Sequence, residues 1–212
     1  MARIFLIRHG ETVHNRDRIL QGPRIDSELS ERGQLQARHV AQALAKQPLS
    51  ALFSSPLRRA RDTAQAVASI PGRELVVQVV PELYEVDYGT LAGRTYDEVR
   101  PEFEQVVDAW RMGFPDVSFP GGESAVVAQH RVRPFVERVV ARARAGETAA
   151  VVAHGRINRV LAATITGQGL GKLEEFPQSN GAITELAVDG MQVQVVRLND
   201  VEHLDVRTEA FS

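Results

Sequence analysis

The chain has 212 residues, 43% hydrophobic and 25% charged, with a formal net charge of −2 and no cysteine. That length suits one globular domain able to bury most of its apolar surface, and the balanced charge argues against DNA or an anionic membrane as the main partner. Without cysteine there can be no disulfide, thiolate nucleophile or cysteine-based zinc or iron–sulfur centre. No apolar run approaches the ~20 residues of a membrane span. Met1 to Arg3 lead directly into a strand-like run, so the expectation is a cytoplasmic protein with no signal peptide.

Residues 3–7 are a short apolar run of β-formers, as in a strand buried on both faces of a parallel sheet. Residues 28–47 read as a helix with Ser30 as N-cap and Leu35, Val40, Ala41 and Leu44 at helical spacing. Residues 50–53 form a short strand. The next helix is expected to open with a serine cap and Pro56 at its first position, with Leu57, Ala60, Ala64 and Val67 on one face. Residues 74–80 are strand-like. From 81 to 122 the pattern is irregular, rich in glycine and proline, with helical pieces near 95–112. It reads as a lid-like insertion within a single domain spanning 1–212.

After it comes a helical stretch that Pro134 should bend or split. Residues 148–154 are a second buried-strand pattern followed by a helix over 156–166, and 181–199 read as a hairpin turning at Asp189-Gly190. Strands alternating with helices imply an α/β three-layer sandwich with a mostly parallel central sheet flanked by helices. Ligands in such folds sit beyond the carboxyl ends of the strands, where His9 and His154 fall.

Both of those strands end in His-Gly, "FLIRHG" and "VVAHG". As neighbours in the sheet, their imidazoles would face each other across one crevice, with helix N–H groups after His154 available to an anion. A lone histidine at a strand end is more often a polar cap; two at matching ends, one preceded by Arg8, favour function. A metal site competes, but Arg8 is a fixed cation that would repel a metal ion, and no H-E-x-x-H or tight carboxylate cluster occurs. "SSPLRRARDTA" offers Arg58, Arg59 and Arg61 at a helix start. Periodicity places Arg61 nearest the apolar stripe and does not choose the ligand-facing one. Glu82, Glu85 and Asp87 are three candidates for a general acid or base, and their spacing does not choose among them.

Seven motifs in order, "LIRHGETVHN", "ELSERGQLQA", "SSPLRRARDTA", "ELYEVDYGTLAG", "PGGES", "VVAHGRINRVL" and "SNGAITEL", resemble the histidine phosphatase superfamily in its phosphoglycerate-mutase-like branch. The resemblance spans nearly the whole chain. It implies a phosphohistidine nucleophile at His9, with Arg8, Arg59 and His154 around the phosphoryl group. Asn15 and the backbone of Gly155 would add hydrogen bonds, and Glu85 would be the proton donor. The family's L-x-R pattern selects Arg59, and Gln21 and Gly22 in "LQG" match a loop lining the substrate entrance. The 121–124 loop would lie over the site.

The implied activity is metal-independent hydrolysis of small phosphate monoesters, because arginine takes the electrostatic role of a metal. His9 would attack as a neutral imidazole, and His154, if charged, would stabilise the transferring group. The alternative is a phosphoglycerate mutase, with 2,3-bisphosphoglycerate as its only cofactor. A minor one is a non-catalytic phosphate-binding module. Asp87-Tyr88 stands where mutases carry basic-aromatic pairs. The tail at 196–204 is similar to that of phosphoserine phosphatases, whose members have a histidine at the position of Tyr88. The expected partner is a small phosphorylated metabolite, not nucleic acid or a membrane; an exposed sheet edge could also pair two chains into a homodimer.

Overall fold

The computed structural model describes residues 1–72 and 74–204. Its centre is a six-stranded sheet: β1 (Ala2–Arg8), β2 (Leu49–Ser54), β3 (Val77–Val79), β4 (Thr148–Ala153), β5 (Ile183–Asp189) and β6 (Gln192–Asp200), in the order β3-β2-β4-β1-β5-β6. The pairs β3-β2, β2-β4 and β4-β1 are parallel, while β5 runs antiparallel to β1 and closes a hairpin with β6. That hairpin turns one residue later than expected, over Gly190-Met191, with Gly190 at φ 57°, a conformation open to glycine.

Side chains alternate across β1. Ile4 and Leu6 join one core and Phe5 and Ile7 the other, which is why the strand reads as continuously apolar. The first core is covered by α4 (Tyr96–Arg111), α5 (Ala125–Arg144) and α6 (Gly155–Thr166), the second by α2 (Glu31–Leu44) and α3 (Arg58–Ala68). A single turn, α1 (Val13–Arg16), follows β1. The 81–122 segment buries Leu83, Val86, Phe103, Trp110 and Phe119 in the first core. No helix among the described residues is long and apolar enough to cross a membrane.

Ser30 caps α2 as expected, accepting from Gly33 N–H at 3.1 Å. The start of α3 differs. It begins at Arg58, without a side-chain cap, because the Ser55 hydroxyl is turned to accept Leu57 N–H and Pro56 belongs to the turn ahead of the helix. The third strand is shorter than the apolar run suggests, only Val77–Val79, as befits an edge partner of β2. Pro134 does not split α5. Both Pro134 and His130, whose carbonyl loses its helical partner, lie on the exposed face, where water can replace the bond.

Candidate active site

The register of the central pair explains the site. Arg8 on β1 is opposite Ala153 on β4, so the next residues, His9 and His154, leave adjacent parallel strands side by side. Their rings meet edge to face, with centroids 5.1 Å apart. The backbone beyond β1 is fixed from several directions: His9 N–H donates to Ala153 O at 3.1 Å, and Gly10 N–H to the Thr63 hydroxyl at 3.1 Å. Gly10 also crosses the first turn of α2. A Cβ there would stand 2.3 Å from Gly33 O, and one on Gly33 would stand 1.9 Å from Glu11 O, so neither position has room for a side chain. This crossing ties "RHGE" to "SERG" in space.

His9 is buried, with Nδ1 2.7 Å from the carbonyl oxygen of Gly10. A carbonyl only accepts, so Nδ1 carries the hydrogen and Nε2 keeps its lone pair. That lone pair accepts from Arg59 Nε at 3.2 Å. Burial, then the charges of Arg59 and Arg8, hold the His9 pKa well below the ordinary histidine value. His154 is lowered too, first by burial and then by Arg59, His9 and Arg8; its Nε2 lies 2.7 Å from the Ser55 hydroxyl, and Nδ1 is buried without a partner.

These shifts have a consequence for stability. In the unfolded chain both imidazoles gain protons as the pH falls through about 6.5, whereas the native site resists protonation, so stability is complete above that range and declines below it. Denaturant midpoints at about pH 7.5 and about pH 5.5 are expected to show the loss, and coincident midpoints would refute the depressed values.

Arg59 is 1% exposed and donates to Gly22 O at 2.9 Å and Ile25 O at 2.8 Å as well as to His9. Burial lowers its pKa to about 10, which still leaves it cationic at neutral pH. Arg58 faces outward to Glu28 and Asp62, and Arg61 is exposed. The buried arginine is therefore the one that the helical wheel did not pick. Arg8 donates to Gln178 O at 2.6 Å while its Nε is buried and unpartnered. Glu85 accepts three backbone N–H groups: Val86 at 2.9 Å and, from the first turn of α6, Ile157 at 2.9 Å and Arg156 at 3.1 Å. A methyl added at Gly155 would sit 3.5 Å from Arg8 Nε and 3.8 Å from Glu85 Oε2, so Gly155 lies between these groups.

One cavity of about 90 Å³ gathers Arg8, His9, Asn15, Gln21, Gly22, Arg59 and Glu85 in its wall. Asn15 completes the capping box of α1, accepting from the backbone N–H of the N-cap Thr12 at 3.1 Å, and also accepts from Asn180 Nδ2 at 3.1 Å. Gln21 lines the cavity, but its amide is committed to the hydroxyls of Thr12 and Ser27. His154 is not among the lining residues and packs edge to face against His9. Glu82 and Asp87 do not line the cavity; Asp87 is held by Arg24 at 2.9 Å.

The sequence reading missed Ser55 as the partner of His154, Thr63 as the anchor of Gly10 and Asn180 as the tie between His9 O and Asn15. No periodicity marks such short polar residues; only the fold brings them in. Among the described residues, no group of three or more His, Asp or Glu side chains is arranged to hold a metal ion.

The family model described as histidine phosphatase superfamily (branch 1) matches residues 4–201. Phosphoserine phosphatase 1 of Hydrogenobacter thermophilus is 30% identical over 96% of this chain and 95% of its own. Phosphoglycerate mutase-like protein 4 of Arabidopsis thaliana is 33% identical over 96% of this chain and 87% of its own. Among solved structures, a mycobacterial glucosyl-3-phosphoglycerate phosphatase in complex with VO3 superposes with a TM-score of 0.81 at 30% identity, covering 94% of this chain and 99% of that one.

Proposed function

The chain belongs to branch 1 of the histidine phosphatase superfamily, and on that premise we propose that it hydrolyses small phosphate monoesters through a phosphohistidine at His9. The observation that carries the reading is the state of His9: Nδ1–H is tied to a carbonyl, and Nε2 is unprotonated beside two cations. A phosphate monoester dianion repels nucleophiles, so neutralising its oxygens is the main task. Arg8 and Arg59 supply fixed positive charge, and the N–H groups they do not spend on the protein donate to phosphoryl oxygens.

In the first half-reaction Arg59 Nε–H passes from Nε2 to a phosphoryl oxygen, and the freed Nε2 lone pair forms the N–P bond as the ester P–O bond breaks. Glu85 gives its proton to the departing alkoxide, releasing the alcohol. In the second, water attacks phosphorus, Glu85 takes a proton from it, the N–P bond breaks, and phosphate leaves with His9 restored. With His154 neutral, its role is hydrogen bonding. If Nε2 accepts from the Ser55 hydroxyl, Nδ1–H is left to donate to the transferring group. Arginine charge fills the role a metal would otherwise serve, so EDTA is not expected to inhibit.

The cavity favours hydrolysis over mutase chemistry. Its ~90 Å³ is well below the ~300–1,000 Å³ of sites that enclose a drug-sized ligand, so it suits one phosphoryl group and leaves the alcohol at the rim. A mutase must instead keep both phosphates of a bisphosphate away from water. The direct test is to quench steady turnover in base and look for phosphate on the His9 peptide that acid then releases. A molecule turning over without that adduct would overturn the mechanism, and isomerisation of 3-phosphoglycerate with added bisphosphoglycerate, in place of phosphate release, would favour the mutase.

A further inference from the structure

The motif at 121–124 was left without a role by the site itself, and its glutamate makes one end of a buried ion pair. Arg131, on α5, meets Glu123 through both ends of its fork, Nε to Oε1 at 2.9 Å and Nη2 to Oε2 at 2.8 Å, and each side chain is 11% exposed. Neither residue lines the cavity. What they hold is the segment carrying Glu85. Arg131 Nη1 donates to Tyr84 O at 3.0 Å and to Glu82 O, and its guanidinium lies 3.5 Å from the centre of the Tyr84 ring. On the other side of Glu85, Asp87 N–H donates to Glu123 Oε2 at 3.1 Å and Glu123 N–H to Asp87 O at 2.8 Å.

We infer that Arg131 and Glu123 are positioning residues for the proton transfer by Glu85, clamping the backbone on both sides of that carboxylate while α6 holds its oxygens. The inference rests on the proposed role of Glu85. An arginine is required because one planar fork must satisfy two carboxylate oxygens and two carbonyls at once, which an ammonium group cannot match. Displacing the carboxylate from its proton-transfer geometry costs rate in proportion to how badly the leaving group needs the proton. A nitrophenolate leaves readily unprotonated; an alkoxide does not.

The test compares Arg131→Lys, Glu123→Gln and Glu85→Gln on glycerol phosphate and 4-nitrophenyl phosphate. Removing either buried charge outright endangers folding, so the conservative Arg131→Lys keeps the cation and Glu123→Gln keeps the shape. Both positioning variants are expected to lose roughly 10- to 100-fold in kcat on the alkyl ester and only about threefold on the aryl ester, following Glu85→Gln in direction. If Glu85→Gln discriminates between the esters while the other two lose both in parallel, or lose neither, the positioning role is wrong and the pair merely stabilises the fold. If Glu85→Gln itself fails to discriminate, the reading of Glu85 as the acid falls first, and the inference with it.

Discussion

The His9→Ala protein is expected to fold and to turn over no phosphate ester, with a loss on the order of 10⁴- to 10⁶-fold, as for other covalent nucleophiles. No other imidazole can take over. His154 is turned to Ser55, and His9 alone has Nε2 unprotonated against Arg59 with its other nitrogen fixed by a carbonyl. The adduct on the His9 peptide should vanish with the activity. The fold should survive, because the backbone of His9 and Gly10 is held by hydrogen bonds to Ala153 O, the Thr63 hydroxyl and Gly181 N–H that do not involve the imidazole. The variant should also lose stability less steeply on acidification, since one of the imidazoles that resist protonation has gone. A His9→Ala protein of normal rate would remove the nucleophile from the mechanism.

Arg59→Ala is expected to lower kcat/KM by about 10²- to 10³-fold, the range for deleting one preorganised donor to a developing anion, whereas Arg58→Ala should stay within about threefold. The two arginines are neighbours in sequence and opposites in environment. Arg59 is buried against His9 and the carbonyls of Gly22 and Ile25, and Arg58 is half-exposed on carboxylates at the surface. Arg59→Ala also frees the entrance loop that those carbonyls belong to, so KM should rise together with the fall in kcat. Arg59→Lys separates charge from geometry: a partial recovery would show that fixed positive charge is part of the effect. Equal losses in the Arg58 and Arg59 variants would mean that burial, not contact with the phosphoryl group, distinguishes them.

The architecture was legible because its signals are strong and local. Two short apolar runs, Ile4 to Ile7 and Ala149 to Ala153, leading to His-Gly marked β1 and β4, and alternation with helices implied the three-layer sandwich that the family's solved structures share. The histidines were legible for the same reason, since each ends a strand. The arginine was not. On a helical wheel Arg61 lies nearest the apolar stripe, but the cavity lies beyond the helix start, where Arg59 can reach it and Arg61 cannot. That Glu85 lines the cavity while Glu82 and Asp87 do not likewise depends on α6, about seventy residues away, whose N–H groups no local pattern reveals. Pro56 and Pro134 misled in opposite directions. One belongs to a turn before its helix, and the other sits in an exposed helical face that tolerates it.

The two histidines hang from β1 and β4, strands that are each paired on both sides in the middle of the sheet. Amides in such strands exchange with solvent only through near-global opening, while loops that carry fewer buried bonds open more readily. The proposed nucleophile thus hangs from the most enclosed part of the sheet, whereas the loop through Gly22 and Ile25 is tied to it through the side chain of Arg59. On the proposed mechanism, hydrogen exchange is therefore expected to be faster in that loop than in β1 and β4, so that a change of alcohol is absorbed at the rim and not at the strand end that carries His9.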